Sequence, residues 1–460
     1  MRLSLFLIAS AAFAASSAVA AEPIKVPLFR RHSDSDGVVH ADAEKLENGV
    51  LGGKVHIGTP PQEFTFAFDT STGYSWVRGS RCKSENCLDR CTYYARRSKT
   101  AVSTGKVFKV KYGNSCVDTK IYQDTFEFGG LTVTDMPFGG AYRMSGFDHG
   151  FDGYLGLGRS VNFNKSSAYT SSARTSLQRR DDLPASAFVT NAYQQGSGVE
   201  SAQFGIYTTT TSSGFDSSGS TTVTTTAVTN STATATATDA TTASSTTTST
   251  AAEATSSDVT SGGFGFVKRT NSNDEPAGYL VIGGVDTSVI DGDIYYFDLA
   301  DNDDSESESW DVPITKIKFG NELDIEQRPK AVASFTTSEY YIAMPADQAD
   351  IYHEYFGGKY LQSTGTYKVK CSQIKHLPPL KLELGDYIVE IPAKYWTRVI
   401  DADHDCCATR IRRGESYRDW VLGTTFTNLF YTTFDPVNEQ VGIALVKGQQ
   451  NSGIKIHNKD

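Results

Sequence analysis

Phe66-Ala67-Phe68-Asp69-Thr70-Ser71-Thr72-Gly73-Tyr74-Ser75-Trp76-Val77 is a β run that delivers an aspartate into a tight turn of small hydroxyl residues and then resumes as strand. A carboxylate in such a turn accepts hydrogen bonds from the turn's own N–H groups, which favours its charged form. Taken alone, the motif equally describes an aspartate that only organises its turn. The surrounding sequence has to decide. From Gly49 onward the chain is written in short runs such as Lys54-Val55-His56-Ile57, Phe64-Thr65-Phe66-Ala67-Phe68, Val107-Phe108-Lys109-Val110-Lys111-Tyr112, Thr125-Phe126-Glu127-Phe128 and Tyr279-Leu280-Val281-Ile282, separated by Gly, Pro, Asn and Asp. Several alternate apolar and polar residues, and few segments hold a helical period, so the chain is predicted to be all-β with short helices.

Composition bounds the function. The 460 residues are 39% hydrophobic, enough for one large or two medium globular domains. Against 53 Asp and Glu stand 43 Lys and Arg, a net charge of −10. A nucleic-acid-binding surface would need a clustered basic excess, so no nucleic-acid partner is expected. Beyond residue 20 no stretch approaches the roughly 18 apolar residues of a membrane span, and residues 453–460 are polar, which argues against a GPI tail as well. Residues 1–20 read as a signal peptide: Arg2, an apolar run over residues 3–8, an Ala-rich continuation, and Ala18-Val19-Ala20 as a small-residue cleavage pattern. The expectation is a secreted protein, extracellular or cell-wall associated. Export makes the seven cysteines disulfide candidates, and their odd number leaves one thiol over or pairs it between chains.

Residues 21–48 are charged and polar and read as a short pro-segment or flexible arm. Residues 208–261 are mostly Ser and Thr and almost free of large apolar side chains, so they cannot bury a core. They lie between two predicted strands, which makes an overgrown hairpin loop the better reading than a domain linker. Asn230-Ser231-Thr232 inside this stretch and Asn164-Lys165-Ser166 before it are N-glycosylation sequons. The stretch reads as a glycosylated spacer, with an unmodified loop as the alternative.

The text around Asp69 resembles the pepsin-like aspartic protease family, as a secreted, fungal-type member, over nearly the whole chain from Gly49 on. Ile57-Gly58-Thr59-Pro60-Pro61-Gln62-Glu63-Phe64 is similar to the family's opening, and Val110-Lys111-Tyr112-Gly113 to its flap hairpin. Phe151-Asp152-Gly153-Tyr154-Leu155-Gly156-Leu157-Gly158 looks like the strand closing the first catalytic loop, and Val281-Ile282-Gly283-Gly284-Val285-Asp286 like the return strand. Trp420-Val421-Leu422-Gly423 and Phe434-Asp435 through Val441-Gly442-Ile443-Ala444 resemble the C-terminal signature. The resemblance implies a bilobal fold with two β-barrel-like lobes, residues 49–207 and 311–460, joined by a return strand and inter-lobe segment over residues 262–310. Between the lobes it implies a cleft for peptides or extended protein segments. A monomer without cofactor or metal is expected.

In that family two aspartates, one per lobe, grip a single water. One acts as base, and the other, protonated, polarises the scissile carbonyl; carboxylates this close share a proton. Where the second should stand the chain has Ala333-Ser334-Phe335-Thr336-Thr337-Ser338-Glu339-Tyr340-Tyr341-Ile342-Ala343-Met344-Pro345. An ungapped overlay puts Phe68 on Phe335, Asp69 on Thr336, Thr70 on Thr337, Ser71 on Ser338 and Tyr74 on Tyr341. A second register would put Ser334 opposite Asp69. Neither supplies a carboxylate, and Thr336 is preferred as the position of the missing aspartate. Both loops also carry Ser, at Ser71 and Ser338, where the family has Gly, and Glu339 stands where it has Thr or Ser.

The resemblance further implies that Thr70 and Thr337 cross-brace the two loops, and that Tyr112 is the flap tyrosine with Trp76 and Thr72 as hydrogen-bonding partners beside Gly113. It also implies a Cys82–Cys87 loop and a bridge from Cys371 to Cys406 or Cys407, which leaves Cys91 and Cys116 to pair with each other. A zinc site is not expected, because no His lies close to Cys82, Cys87 and Cys91. The functional expectation is a catalytically impaired homologue acting as a peptide- or protein-binding module, with Asp69 titrating as an ordinary low-pKa acid. Two alternatives stand beside it. One is an active acid endopeptidase completed by a displaced carboxylate such as Glu339. The other is a cell-wall-associated structural glycoprotein with residues 208–261 as its working part.

Overall fold

The structure, a computed structural model, describes residues 23–28, 50–88, 90–112, 115–147, 150–161, 186–209, 278–301, 308–321, 323–448 and 453–459. The signal segment, most of residues 21–48, both sequons, Gly113 and nearly all of residues 208–261 lie outside these.

Among the described residues four sheets carry the chain, and the longest helix, Ala346–Tyr355, has 10 residues. No helix there is long and apolar enough to cross a membrane. The period-two reading holds at the start of the strand Gln62–Asp69, whereas from Phe66 on both faces are buried, with Ala67 packed against Val50 and Phe151. Phe64, Phe66 and Phe68 of the strand Gln62–Asp69 are all buried, and Phe66 and Phe68 meet Phe126 and Phe128 at ring separations of 6.3 and 5.3 Å. Each such ring taken from water contributes roughly 1.5–3 kcal/mol. That burial fixes which face of the strand points inward and so where Asp69 emerges at its end.

The chain is all-β and bilobal because one strand pattern is used twice. In the seven-stranded N-terminal sheet, Gln62–Asp69 runs parallel to Gly153–Gly156, which pairs antiparallel with Trp76–Arg78, itself parallel to Leu131–Ser145. In the C-terminal half, Val332–Phe335 runs parallel to Trp420–Leu422, which pairs antiparallel with Ile342–Met344, itself parallel to Ile411–Arg413. The registers match: Phe68 faces Leu155 as Phe335 faces Leu422. Gly156 and Gly423 therefore occupy equivalent places beside the two turns. A Cβ on Gly156 would lie 2.5 Å from the carbonyl carbon of Gly73, and one on Gly423 would lie 2.5 Å from the carbonyl oxygen of Glu339. Only glycine lets these strands approach the turns so closely.

A six-stranded sheet joins segments from both ends of the chain, in the order Ile24–Leu28, Gly278–Ile282, Phe204–Thr208, Tyr431–Asp435, Gln440–Val446, Ile290–Asp298. Phe204–Thr208 and Gly278–Ile282 pair antiparallel with Thr208 opposite Gly278, so the Ser/Thr stretch leaves and re-enters at one end of a hairpin ladder. Within the charged 21–48 stretch, Ile24–Leu28 forms the edge strand of this sheet, and Lys25 is ion-paired with Asp286.

Two disulfides form, Cys82–Cys87 and Cys371–Cys407. Successive residues of a strand point to opposite faces. Of the adjacent pair in Cys406–Thr409, buried Cys407 turns to Cys371, and Cys406 is left free. The expected Cys91–Cys116 bridge is absent, and both thiols are free. Cys116 is fixed in its ladder between Lys111 and Ser145, with its sulfur 3.3 Å from the Ser145 hydroxyl. Cys91 is held elsewhere, by its N–H on the Asp152 carboxylate at 3.2 Å. Alkylation of the denatured, unreduced protein is expected to label three thiols, Cys91, Cys116 and Cys406. A single label would mean that Cys91 and Cys116 are bridged after all.

Candidate functional site

The two equivalent turns meet between the lobes. Asp69 ends its strand, with its carbonyl accepting the Leu157 N–H at 2.7 Å, and Thr336 follows Val332–Phe335 with its N–H on the Leu422 carbonyl at 3.1 Å. Thr70 and Thr337 lock the turns together. The Thr70 hydroxyl donates to the Phe335 carbonyl at 3.1 Å and accepts the Thr337 N–H at 3.1 Å. The Thr337 hydroxyl donates to the Phe68 carbonyl at 2.5 Å and accepts the Thr70 N–H at 3.3 Å. Each buried bond contributes about 0.5–1.5 kcal/mol net, and losing one would leave its partner unsatisfied at greater cost. The brace sets Thr336 opposite Asp69, as in the ungapped overlay. Ser334 lies further back in its strand, with its hydroxyl on the Asp311 carboxylate.

Asp69 is fully buried. Its Oδ1 accepts the Ser71 N–H at 2.8 Å and the Ser71 hydroxyl at 2.5 Å. On the other side the Thr336 hydroxyl accepts the Ser338 N–H at 3.2 Å and lies 3.0 Å from the Ser338 hydroxyl, which donates to that of Ser71 at 3.4 Å. A hydroxyl has one proton to give. That of Ser71 goes to the carboxylate, the Ser338 hydroxyl faces both Ser71 and Asp69, and between Thr336 and Ser338 either oxygen can be the donor. The result is a string of hydroxyls, Thr336, Ser338 and Ser71, that reaches Asp69 across the lobe interface through the two serines.

Asp69 Oδ2 is buried and has no hydrogen-bond partner among the described residues. Burial pushes the carboxyl above the ordinary aspartate range. The Ser71 hydroxyl and N–H, and then the Ser338 and Tyr112 hydroxyls, oppose this without cancelling it. The expectation of an ordinary low-pKa acid is overturned by desolvation, which the sequence motif does not show.

Trp76 donates its indole N–H to the Tyr112 oxygen at 3.1 Å. Trp76 stacks on Tyr154 at 5.0 Å, and Tyr112 packs edge-on against Tyr154 and Phe147, both at 5.5 Å. Burial, and then the nearby Asp69 charge, push the Tyr112 phenol well above its ordinary range, so it acts only as a neutral hydroxyl. Thr72 does not join this pair. Its hydroxyl donates to the Glu308 carboxylate at 2.9 Å and accepts the Tyr74 N–H at 3.2 Å. Glu308 was not foreseen, since nothing separates it from its acidic neighbours in sequence; its carbonyl also accepts the Arg159 N–H at 2.8 Å. Glu339, the candidate displaced carboxylate, is bound by Arg412 at 2.8 Å. Among the described residues no cluster of three His, Cys, Asp or Glu stands ready to hold a metal ion.

The family model described as eukaryotic aspartyl protease matches residues 51–262 and 264–446. The chain is 23% identical over 405 residues to pregnancy-associated glycoprotein 1 of Bos taurus, covering 87% of this chain and 82% of that protein. It is 23% identical over 401 residues to pepsin A-5 of Mus musculus, covering 86% and 81%. To cathepsin D of Rattus norvegicus it is 24% identical over 409 residues, covering 85% and 79%.

Proposed function

Because the chain belongs to the eukaryotic aspartyl protease family, we propose that it is a secreted, hydrolytically silent member that holds peptides or extended protein segments in the cleft between its lobes. The observation that carries this reading is the hydroxyl chain from Thr336 to Asp69. Peptide hydrolysis by a carboxylate pair needs one member protonated and able to polarise the carbonyl while the other accepts a proton from water. Thr336 offers a hydroxyl far too weak as an acid for that task, and it is engaged with the hydroxyl of Ser338. The Ser71 and Ser338 side chains stand between Asp69 and Thr336, where the family's glycines would leave open space. Glu339 is neutralised by Arg412 and is not free to replace the missing carboxylate.

Recognition has better support than chemistry. Trp76 and Tyr112 retain their mutual hydrogen bond, and the Tyr112 hydroxyl stands beside Asp69. The site of action is proposed as extracellular or at the cell wall, on the strength of residues 1–20.

Fluorescence polarisation with extended peptides is the test, followed by mass analysis of the recovered peptide. Saturable binding with the peptide recovered intact is expected, and Tyr112→Ala should weaken it about tenfold, the loss of a central aromatic anchor. Recovery of cut peptide that disappears in Asp69→Asn would overturn the reading.

A further inference from the structure

Outside the cleft, a cavity of about 680 Å³ opens on the N-terminal sheet, walled by Gly79, Ser80 and Arg81, by residues around the turn Ala95–Arg97, and by Lys120, Tyr122 and Tyr142 of the strands beneath. Neither Asp69, Tyr112 nor Thr336 lines it. Its volume lies in the range of small-ligand sites.

Its chemistry departs from that of the whole chain. The protein carries a net charge of −10, yet the lining holds Arg81, Arg96 and Lys120 and no Asp or Glu. None of these three cations takes part in an ion pair among the described residues. Asp124, the carboxylate that bonds the lining residues Tyr93 and Ser98, is buried and committed to the hydroxyls of Tyr93, Ser98 and Thr100 at 2.7, 3.0 and 2.5 Å. Uncompensated charge of one sign in a concavity is a focus for a ligand of the opposite sign.

The remaining lining narrows the ligand class. Tyrosines and small or hydroxyl residues make up the rest, and no Leu, Ile, Val, Met or Phe is present to receive an apolar peptide side chain. Tyr94 and Tyr142 are each 38% exposed, and the Arg97 guanidinium lies 4.0 Å from the Tyr94 ring centre, steadying that ring. Under the cavity Ser115–Phe128 is paired on both sides, with Leu131–Ser145 and with Val102–Tyr112, the outermost strand of the sheet, whose Ser103 also lines the cavity. Aromatic faces suit the C–H faces of sugar rings, hydroxyls suit sugar hydroxyls, and guanidinium groups bind carboxylate or sulfate bidentately. We propose that this cavity is a second binding site, independent of the cleft, for an acidic oligosaccharide carrying carboxylate or sulfate groups.

Titration calorimetry on the full chain tests it with four probes: oligogalacturonate, a heparin hexasaccharide, neutral maltohexaose and polyglutamate. At least one acidic sugar is expected to bind at least tenfold more tightly than maltohexaose, and the two acidic probes tell carboxylate from sulfate. Arg81→Ala/Arg96→Ala/Lys120→Ala should weaken that binding at least thirtyfold. Tyr142→Ala, which leaves every charge in place, should weaken it at least fivefold. Both variants should keep peptide binding in the cleft. The proposal is overturned if neither acidic sugar binds, if the triple variant binds as the unaltered chain does, or if polyglutamate binds as tightly as the acidic sugars with Tyr142→Ala unchanged. The last result would mean unspecific charge attraction or a protein partner.

Discussion

Unfolded protein substrates incubated with the chain between about pH 2 and 6, the span in which a shared-proton pair operates, are expected to yield no fragments above the level of an Asp69→Asn control. A unit of two carboxylates fails nearly as a whole when one is missing, because neither half can both activate water and protonate the tetrahedral intermediate. Thr336→Asp restores the acid but is expected to recover only a trace. The restored carboxylate would face the Ser338 and Ser71 hydroxyls, which already bridge the gap to Asp69. Adding Ser71→Gly and Ser338→Gly to Thr336→Asp is therefore expected to raise turnover by a further factor of about 10²–10⁴, the range of a functioning general acid. Glu339, held by Arg412, still departs from the family loop, so recovery stays partial. If Thr336→Asp alone matched the triple variant, the serine pair would not be an obstacle. Asp69-dependent cleavage by the unaltered chain would remove the silent-site reading altogether.

The second large effect concerns acid stability and comes from His353, buried in the helix Ala346–Tyr355. Its Nδ1 lies 2.6 Å from the Ala349 carbonyl, its Nε2 lies 2.9 Å from the Thr409 hydroxyl, and its ring stacks on Tyr367 at 3.6 Å. A carbonyl only accepts, so Nδ1 carries the proton and the neutral Nε2 accepts from Thr409. Burial lowers the His353 pKa from 6.5 to about 3, against smaller upward pulls from the Ala349 carbonyl and the Asp350 charge. The unfolded chain thus takes up a proton near pH 6.5 that the folded chain refuses until about pH 3. The stability this neutral ring permits is present above pH 6.5 and is lost as pH falls through that window. By pH 4 the loss is roughly 3 kcal/mol. Denaturant unfolding at pH 7 and pH 4 should show His353→Gln losing less stability than the unaltered chain by about that amount, although the variant starts lower at pH 7. Equal acid losses in the two proteins would show that the ring is already charged in the fold.

The sequence by itself determined the features that neighbouring residues settle. The burial of Phe64, Phe66 and Phe68, the hydroxyl turn after Asp69, and the glycines of the Leu155-Gly156 and Leu422-Gly423 pairs are consequences of strand geometry and close backbone approach. All of these can be read one residue at a time. The absence of a carboxylate at Thr336 was legible for the same reason, since an overlay of two local turns needs no knowledge of the fold between them. The tertiary structure alone decided which groups meet across the interface. The Thr70–Thr337 brace was implied by the resemblance and is present, but Thr72 turns to Glu308, 236 positions away, and Glu339 is taken by Arg412. It also set Cys91 apart from Cys116 and raised the Asp69 pKa through burial. Desolvation and long-range hydrogen bonding depend on what the rest of the chain packs around a group. A motif names the group and its neighbours in sequence, whereas its protonation and its partners are set by neighbours in space.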